Sequence, residues 1–305
     1  MTRNFPVKMA KKALKAIGLS LALILSLCLM TTCTRNGGKG VGCTDHGCWE
    51  NIGNDVRITN DPKMSELPSL VWAGSEYGVS WQDDRDGNWE IYFARISGAG
   101  TKIGADTRIT NDANNSLYPS LVWTGSEYGV TWDDDRDGNH EIYFARISAG
   151  GTKIESEVRI TNNANHNSWY PTLFWTGSEY GVSWDDSRGG NDEIYFARIS
   201  GAGTKIGSDV RIMSDPLTDE SFSLNWTGSE YGLSWNDWRH GDWEINFSLL
   251  SASGTKIGSD VRIRSDPNRN RFPSLAWTGS EYGVCWDDWR DGNDEIYFAR
   301  IGLAP

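Results

Sequence analysis

Five copies of one motif at almost constant spacing constrain the fold of this chain more than any other feature. The arginine of the motif recurs every 51 or 52 residues, at Arg85, Arg136, Arg188, Arg239 and Arg290. Two tryptophans recur in step with it, one at Trp72, Trp123, Trp175, Trp226 and Trp277, the other at Trp81, Trp132, Trp184, Trp235 and Trp286. Such regular copies indicate an array of equal supersecondary units.

Each copy has the pattern of four short strands joined by turns. In the first copy, PSLVW (68–72) opens with a proline, which sheets tolerate at strand starts, edges and bulges. EYGVSW (76–81) has the period-two alternation of a strand, and the turn sequence DDRDGN follows it. EIYFARI (90–96) and DTRIT (106–110) supply the third and fourth strands.

Repeated four-stranded units of this length are typical of propeller blades. The sequence therefore predicts an all-β fold, a five-bladed β-propeller with four antiparallel strands per blade. Fourth-strand sequence, DVRIT (55–59), precedes the first copy, and third-strand sequence ends the last copy. We predict that this N-terminal strand completes the last blade and closes the ring, because closure removes an exposed sheet edge.

The first 33 residues have the composition of an export signal. Five basic residues precede an apolar stretch from Ile17 to Met30, shorter than the roughly 20 residues that span a bilayer. Cys33 follows LMTT, which resembles a bacterial lipobox. We predict a lipoprotein-type signal peptide at 1–33 with lipid on Cys33, a flexible tether at 34–53, and the propeller at 54–305, held in the cell envelope on the periplasmic side or at the cell surface. An uncleaved membrane anchor is the alternative.

Charge and cysteine content limit the partners. Without residues 1–33 the chain has 24 basic and 41 acidic residues, and so acidic a surface repels nucleic acid and anionic lipid. We expect a monomer whose membrane contact is through the lipid anchor alone. Export permits a disulfide between Cys43 and Cys48. Cys285 replaces the Ser or Thr of other copies and is interpreted as an inert core residue.

The segment RITND…YPSLVWTGSEYGVTWDDDRDGNHEIYFARI (108–147) resembles the propeller repeat of the TolB family of periplasmic translocation proteins. The resemblance covers residues 54–301 and implies TolB-like or Trp-Asp-repeat-like blades. The chain departs from that family in having five copies rather than six, a longer repeat and no N-terminal α/β domain. Five-bladed propellers also include tachylectin-type lectins and several families of glycoside hydrolases, and a shared fold does not fix function.

Catalysis and metal binding find little support in the motifs. The turn DDDRDGNHE (133–141) has the Asp-x-Asp-x-Asp-Gly order of a calcium loop, but only this copy has all three carboxylates. A hairpin with its Arg paired to Asp is favoured, and calcium in the second copy stays open. Glycoside hydrolases need two positioned carboxylates, and the first strands contain none. We therefore predict no catalytic residue, no metal and no cofactor.

Five tryptophans fall outside the repeated strand positions, on loops that share one face of a propeller: Trp89, Trp169, Trp238, Trp243 and Trp289. Aromatic rings among polar groups suit a sugar or a protein partner, although each ring could instead cap its own blade. We predict that they are the ligand-binding residues of a non-enzymatic, envelope-anchored binding module for a protein or a glycan. The alternatives are a polysaccharide-acting hydrolase, lyase or sialidase-like enzyme, and a purely structural envelope component.

Replacing the predicted lipid-attachment residue tests the anchor. Cys33→Ala removes the thiol that would carry the lipid, so we expect the protein to leave the membrane fraction, as measured by immunoblotting of fractionated cells. Cys28→Ala retains Cys33 and should leave the distribution unchanged. Membrane association that survives Cys33→Ala would favour the uncleaved anchor.

Overall fold

The structure, a computed structural model, describes residues 41–44, 47–50, 55–190, 192–212, 221–238, 243–265, 270–293 and 295–302. At 41–44, 47–50 and 265 only the backbone is described. The predicted signal peptide, Cys33 and the start of the tether lie outside these residues. The chain divides into two compact units, Met1–Asp55 and Val56–Pro305. Within the described ranges, no helix is long and apolar enough to cross a membrane.

The first unit contains one antiparallel pair, β1 (Val41–Thr44) and β2 (Gly47–Glu50). Its register places Cys43 opposite Cys48. Opposed residues of an antiparallel pair have Cα atoms about 4.5 or 5.5 Å apart, which is within the usual range for a disulfide. The backbone is thus compatible with the disulfide, which stays a prediction.

The second unit contains five antiparallel sheets, one for each copy of the repeat, numbered here in chain order. Sheet 1 contains β3 (Ser65–Trp72), β4 (Glu76–Asp83), β5 (Glu90–Ser97) and β6 (Lys102–Arg108). Sheet 2 contains β7 (Ser116–Trp123), β8 (Glu127–Asp134), β9 (Glu141–Ser148) and β10 (Lys153–Arg159). Sheet 3 contains β11 (Ser168–Trp175), β12 (Glu179–Asp186), the 3-10 helix Ser187–Gly189, β13 (Glu193–Ser200) and β14 (Lys205–Arg211).

Sheet 4 contains β15 (Phe222–Trp226), β16 (Glu230–Asp237), β17 (Glu244–Ser251) and β18 (Lys256–Ser265). Sheet 5 contains three strands, β19 (Asn270–Trp277), β20 (Tyr282–Asp288) and β21 (Glu295–Ile301). An all-β array of repeated antiparallel sheets is a β-propeller, as predicted. Residues 55–60 have no regular secondary structure, so the count of five blades and the closure of the ring stay predictions.

The two repeated tryptophans have different roles. The second-strand tryptophan is buried in every sheet and forms the centre of the core with apolar residues of the third strand. The first-strand tryptophan is only partly buried, and Trp72 is 47 % exposed. Its ring packs at a tilt against the tyrosine of its own second strand, as Trp123 does against Tyr128 with ring centroids 4.5 Å apart.

The second-strand glycines of sheets 1, 2 and 4 allow the next sheet to pack closely. Tyr128 of sheet 2 packs on Gly78 of sheet 1, where a Cβ atom would lie 2.4 Å from the ring. The phenol also donates to Glu76 at 3.2 Å. Near the propeller axis, the Leu121 N–H donates to Ser69 Oγ at 3.0 Å. The same inner contact joins sheets 2 and 3 and sheets 4 and 5.

Four of the five first strands contain a bulge immediately before a proline, where the register shifts by one residue. The bulge residue has a positive φ of 51° to 53°, at Leu67, Tyr118, Tyr170 and Phe272. Such values are rare for bulky side chains. A proline has no N–H for the ladder, which is why sheets accept it at bulges. Sheet 4 has Phe222 in place of the proline, and its described register runs without a shift.

The left-handed residue Glu155 gives a stability test. It has φ 62° where the other fourth strands have Gly104, Gly207 and Gly258, with φ 70° to 73°. Left-handed backbone costs a non-glycine residue about 1–2 kcal/mol, partly offset by the greater chain entropy of glycine. We expect Glu155→Gly to raise the free energy of unfolding by about 0.5–1 kcal/mol in urea titrations. The reverse change, Gly104→Glu, should lower it, and a loss of stability in Glu155→Gly would contradict the account.

Candidate functional site

The repeated Asp-Arg pair of each hairpin is structural. In sheet 2, the Arg136 guanidinium binds Asp134 at 2.6 Å, and the Trp132 indole donates to the same carboxylate at 3.0 Å. Burial would raise the pKa of the equivalent Asp83, but hydrogen bonds, chiefly from Arg85, hold it at about 2. The predicted pairing of Arg with Asp is confirmed in sheets 1, 2, 3 and 5.

The carboxylates that suggested a calcium loop are held by different groups. Asp135 accepts the Asn115 N–H at 2.6 Å, and Asp137 accepts the Tyr143 hydroxyl at 2.5 Å. Asp133 faces His140 instead. Across the described part of the chain, no group of three His, Cys, Asp or Glu side chains could hold a metal ion.

One polar residue at the end of each second strand lies near the axis, beneath the bulges: Gln82, Asp133, Asp185, Asn236 and Asp287. The bulge N–H of the next sheet reaches over to this side chain. Tyr118 N donates to Gln82 Oε1 at 3.1 Å, and Tyr170 N donates to Asp133 Oδ2 at 3.3 Å. Since Gln82 serves as well as Asp133, this contact does not itself require an acid.

The bulge side chains line an open cleft of about 380 Å³ at the axis. Its walls are equivalent triplets from the first strands of sheets 1, 2 and 3: residues 67–69, 118–120 and 170–172. The rings of Tyr118 and Tyr170 meet edge to face with centroids 4.6 Å apart. Tyr170 is half exposed. The left-handed bulges therefore place two aromatic rings at the cleft, and the backbone of Tyr170 contacts the buried carboxyl of Asp133.

Asp133 and His140 form a polar pair on the sheet 2 side of the cleft. Asp133 Oδ1 lies 3.3 Å from His140 Nδ1, and the carboxyl is fully buried. Burial raises the pKa of Asp133, and His140 partly offsets that effect. The hydrogen bond with Asp133 raises the pKa of His140. A histidine held by a buried carboxylate is the arrangement of an oriented general base.

Asp185 of sheet 3 has the most perturbed environment in the cluster. Its side chain is 9 % exposed, and no hydrogen bond from the described residues reaches its carboxyl. Burial, with the nearby charge of Asp192, raises the pKa of Asp185 to about 7. The pKa of Tyr170 is raised by burial, by Tyr118 and by the charges of both Asp133 and Asp185. Tyr170 thus lies within range of both carboxyl groups.

Of the five predicted tryptophans, the structure brings Trp169 to this cluster. Trp169 is the cross-strand neighbour of Asp185, and its ring centroid lies 6.1 Å from that of His140. Trp238 and Trp243 meet edge to face at 5.4 Å in sheet 4, where Arg271 lies 4.9 Å over Trp243. Trp89 occupies the sheet 1 position equivalent to His140, and Trp289 of sheet 5 is exposed. Whether these rings bind a ligand stays a prediction.

The sequence argument against catalytic residues considered the first strands alone, which contain no carboxylate. The ends of the second strands supply Asp133 and Asp185. Two sequence signals could have found them. One is the acidic residue after the second-strand tryptophan, and the other is the loss of the repeated proline at Phe222.

Solved structures share this fold. A puromycin-hydrolysing peptidase from Mycobacterium tuberculosis is 14 % identical, with a TM-score of 0.54 over 80 % of this chain and 38 % of that chain. A GH43 endo-arabinanase from Bacillus licheniformis is 14 % identical, with a TM-score of 0.45 and coverage of 79 % and 95 %. An endo-arabinase from Bacteroides thetaiotaomicron is 11 % identical, with a TM-score of 0.47 and coverage of 78 % and 94 %.

This chain spans 38 % of the length of the peptidase. At 14 % identity the likeness to the peptidase shows the fold alone, and it supports a β-propeller without the narrower TolB-like or Trp-Asp-repeat-like identity. No protein-family model and no curated protein matches the chain.

The prediction of a non-enzymatic binding module is contradicted. The fold is shared with a protein named as a puromycin-hydrolysing peptidase, and the second strands supply buried carboxyl groups that the argument from the first strands did not consider.

Proposed function

We propose that this protein is a hydrolase that cleaves glycosidic bonds of a polysaccharide at the axial cleft. The observation that carries the proposal is Asp185, a carboxyl almost fully buried beside the cleft, with a pKa raised to about 7. A general acid must retain its proton at the working pH, and enzymes achieve this by burying a carboxyl. Few structural roles require a buried acid that has no hydrogen-bond partner.

The two sides of the cleft supply a general acid, Asp185, and a general base, His140. Asp185 donates its proton to the glycosidic oxygen as the bond from that oxygen to the anomeric carbon breaks. A water molecule forms the new bond to the anomeric carbon and gives a proton to His140, which Asp133 orients at 3.3 Å. Water is thereby divided between the two products, and no redox partner is needed.

A sugar fits the cleft better than a charged substrate. The exposed lining consists of aromatic, proline and hydroxyl side chains from the bulges, and aromatic rings stack on the apolar faces of sugars while hydroxyl groups bind their edges. Trp169 extends this lining beside Asp185. The names of two proteins with the same fold make arabinan the first polysaccharide to test.

Replacing the acid tests the function. We expect Asp185→Asn to lower kcat for polysaccharide hydrolysis at least about 100-fold, the contribution typical of general acid catalysis. Reducing-sugar release from arabinan, galactan and other neutral polysaccharides measures it. The wild-type rate should fall above about pH 7 as Asp185 ionises. It should also fall as the pH drops through the pKa of His140, which Asp133 raises above the ordinary value for histidine, because His140 then becomes protonated.

Asp287→Asn changes the equivalent residue in sheet 5 and serves as the matched control, with activity expected near that of the wild type. Correctly folded wild-type protein that hydrolyses none of the polysaccharides would refute the proposal. Equal loss of activity in Asp185→Asn and Asp287→Asn would remove the assigned role of Asp185.

We further propose the five-bladed closed ring, in which the last sheet packs on the first. The third-strand isoleucine is fully buried in sheets 1 to 4, but Ile296 of sheet 5 is 71 % exposed and Phe298 is 64 % exposed. The first-strand leucine is buried in sheets 2, 3 and 5, but Leu70 of sheet 1 is 61 % exposed. These are the two complementary halves of the interface that joins every other pair of sheets.

The N-terminal segment supports the same closure. Lys102 Nζ binds the Ile58 carbonyl at 2.6 Å, as Lys153 binds Ile109 at 2.9 Å where a fourth strand leaves the preceding sheet. Arg57 Nε binds Thr59 O at 2.7 Å, as the fourth-strand Arg108 binds Thr110. In other sheets that arginine also pairs with the first residue of the third strand, which in sheet 5 is Glu295.

A matched pair of substitutions tests closure. If Ile296 is buried in a closed ring, Ile296→Ala should lower the free energy of unfolding by about 2–5 kcal/mol, as Ile142→Ala should in sheet 2. Chemical denaturation of the two variants gives the comparison. An effect within about 0.5 kcal/mol for Ile296→Ala alone would show that this face remains in solvent and that the ring is open.

We also propose the lipid anchor and a binding role for the loop tryptophans. Lipid attachment at Cys33 would hold the enzyme in the cell envelope, where polysaccharides are available and the Cys43–Cys48 disulfide could form. Trp89, Trp238, Trp243 and Trp289 would then serve as additional sugar-stacking positions around the cleft rather than as a separate binding module.

A further inference from the structure

We infer that Phe222 is a positioning residue: because it replaces the proline of the other first strands, sheet 4 forms no bulge in its described part, from residue 221 onward, and withholds from Asp185 the backbone N–H that sheets 2 and 3 supply at the equivalent positions. The arrangement of Phe222, Ser221 and Asp185 is a property of the structure and does not depend on any function. Only its consequence for catalysis rests on the proposed function.

The rule from which sheet 4 departs is visible at two interfaces. At the interfaces of sheets 1 and 2 and of sheets 2 and 3, the N–H of the bulge residue before the proline donates across the interface. Tyr118 donates to Gln82 of sheet 1, and Tyr170 donates to Asp133 of sheet 2. The expected donor to Asp185 of sheet 3 is therefore residue 221 of sheet 4, which is the position before Phe222.

In sheet 4, the carbonyl and the hydroxyl of Ser221 bond within their own sheet. The ladder continues in register, because the Asn236 N–H donates to the Ser221 carbonyl at 3.3 Å. The Ser221 hydroxyl donates to Asn236 Oδ1 at 2.5 Å, within the same sheet. Asp185 consequently receives no hydrogen bond from this strand, and no other described residue replaces it.

The charged and titratable groups around Asp185 cannot compensate. Asp192, in the turn between β12 and β13, is a like charge that adds to the effect of burial. From β11, Tyr170 contributes a phenol whose own pKa is raised. Asp133 faces Tyr170 from sheet 2 and is paired with His140. Asp186 is adjacent in sequence but is held by Arg188 at 2.5 Å. Among the described residues, Asp185 therefore has no donor that would stabilise its ionised form, whereas His140 and the Tyr170 N–H act on Asp133 against the effect of burial.

The consequence is a division of roles between two equivalent carboxyl groups. Asp133 has the N–H and a histidine, and it is suited to orient a base. Asp185 has neither, and it is suited to carry a proton. Hydrogen bonds from backbone N–H groups stabilise a carboxylate strongly, and two or three of them can bring a pKa below 2. One substitution in a repeated strand thus suffices to separate acid from base.

Restoring the proline tests the inference in the full-length folded protein. Carboxyl-carbon NMR titration follows Asp185, whose signal is identified by its absence in Asp185→Asn. In the wild type we expect a midpoint near neutrality, and a midpoint near the ordinary value for aspartic acid would overturn the inference at once. Phe222→Pro should move the midpoint down by about one pH unit or more, whereas Phe222→Leu, which retains an N–H in the ladder, should leave it unchanged.

If the Phe222→Pro variant fails to fold, the opposite substitution in sheet 3 provides the test. Pro171→Phe should remove the bulge in sheet 3, withdraw the Tyr170 N–H and raise the titration midpoint of Asp133. A folded Phe222→Pro variant with an unmoved Asp185 midpoint, or a folded Pro171→Phe variant with an unmoved Asp133 midpoint, would overturn the inference. Shifted midpoints in a protein that hydrolyses no polysaccharide would support it and reject the proposed function.

Discussion

The buried aspartate that ends each second strand is the group on which the rest of the fold depends. In sheet 2, Asp134 accepts hydrogen bonds from three groups: the Trp132 indole, the Ser116 hydroxyl and the Arg136 guanidinium. The guanidinium also reaches Glu157 of the fourth strand at 2.9 Å and lies 4.4 Å over Tyr143 of the third. One carboxylate thereby connects all four strands of a sheet. A buried charge is tolerated only while its partners stay in place, which accounts for the joint recurrence of the Ser, Trp, Asp and Arg positions in most copies.

Because this network repeats, a residue that differs from its equivalents in the other copies indicates a role beyond stabilising the fold. The position before the structural aspartate is free to vary between Gln82, Asp133, Asp185, Asn236 and Asp287. The side chain at this position accepts the bulge N–H of the next sheet, and an amide accepts it as well as a carboxyl does. The acids at Asp133 and Asp185 therefore exceed what the fold requires. The same reasoning singles out Phe222, which replaces the proline that the other four copies share, whereas the position of His140 varies among Trp, His and Asp.

The blade pattern could be predicted from the sequence because it depends on local periodicity, repeated five times. The four strands of the first copy, its proline-led first strand and its Asp-Arg hairpin all follow from residues close together in the chain. The first-strand tryptophans show the limit of that reasoning: their spacing matches that of the buried second-strand tryptophans, yet Trp72 and its equivalents lie partly in solvent. Periodicity identifies one face of a strand, but the neighbouring element decides how deeply that face is covered.

By itself, then, the sequence determined a repeated four-stranded unit, the residues of its core and the turns that join its strands, since each depends on contacts within about 50 residues. The tertiary structure decided the candidate site. Asp133 accepts the N–H of Tyr170, 37 residues away in the next sheet, and both Asp133 and Asp185 are buried by the packing of the chain around them. The pKa of a carboxyl depends on its burial and on the dipoles and charges that surround it in space. Partners within the same hairpin, His140 and Asp192, lie close in sequence, but the burial that raises both pKa values exists only in the folded protein.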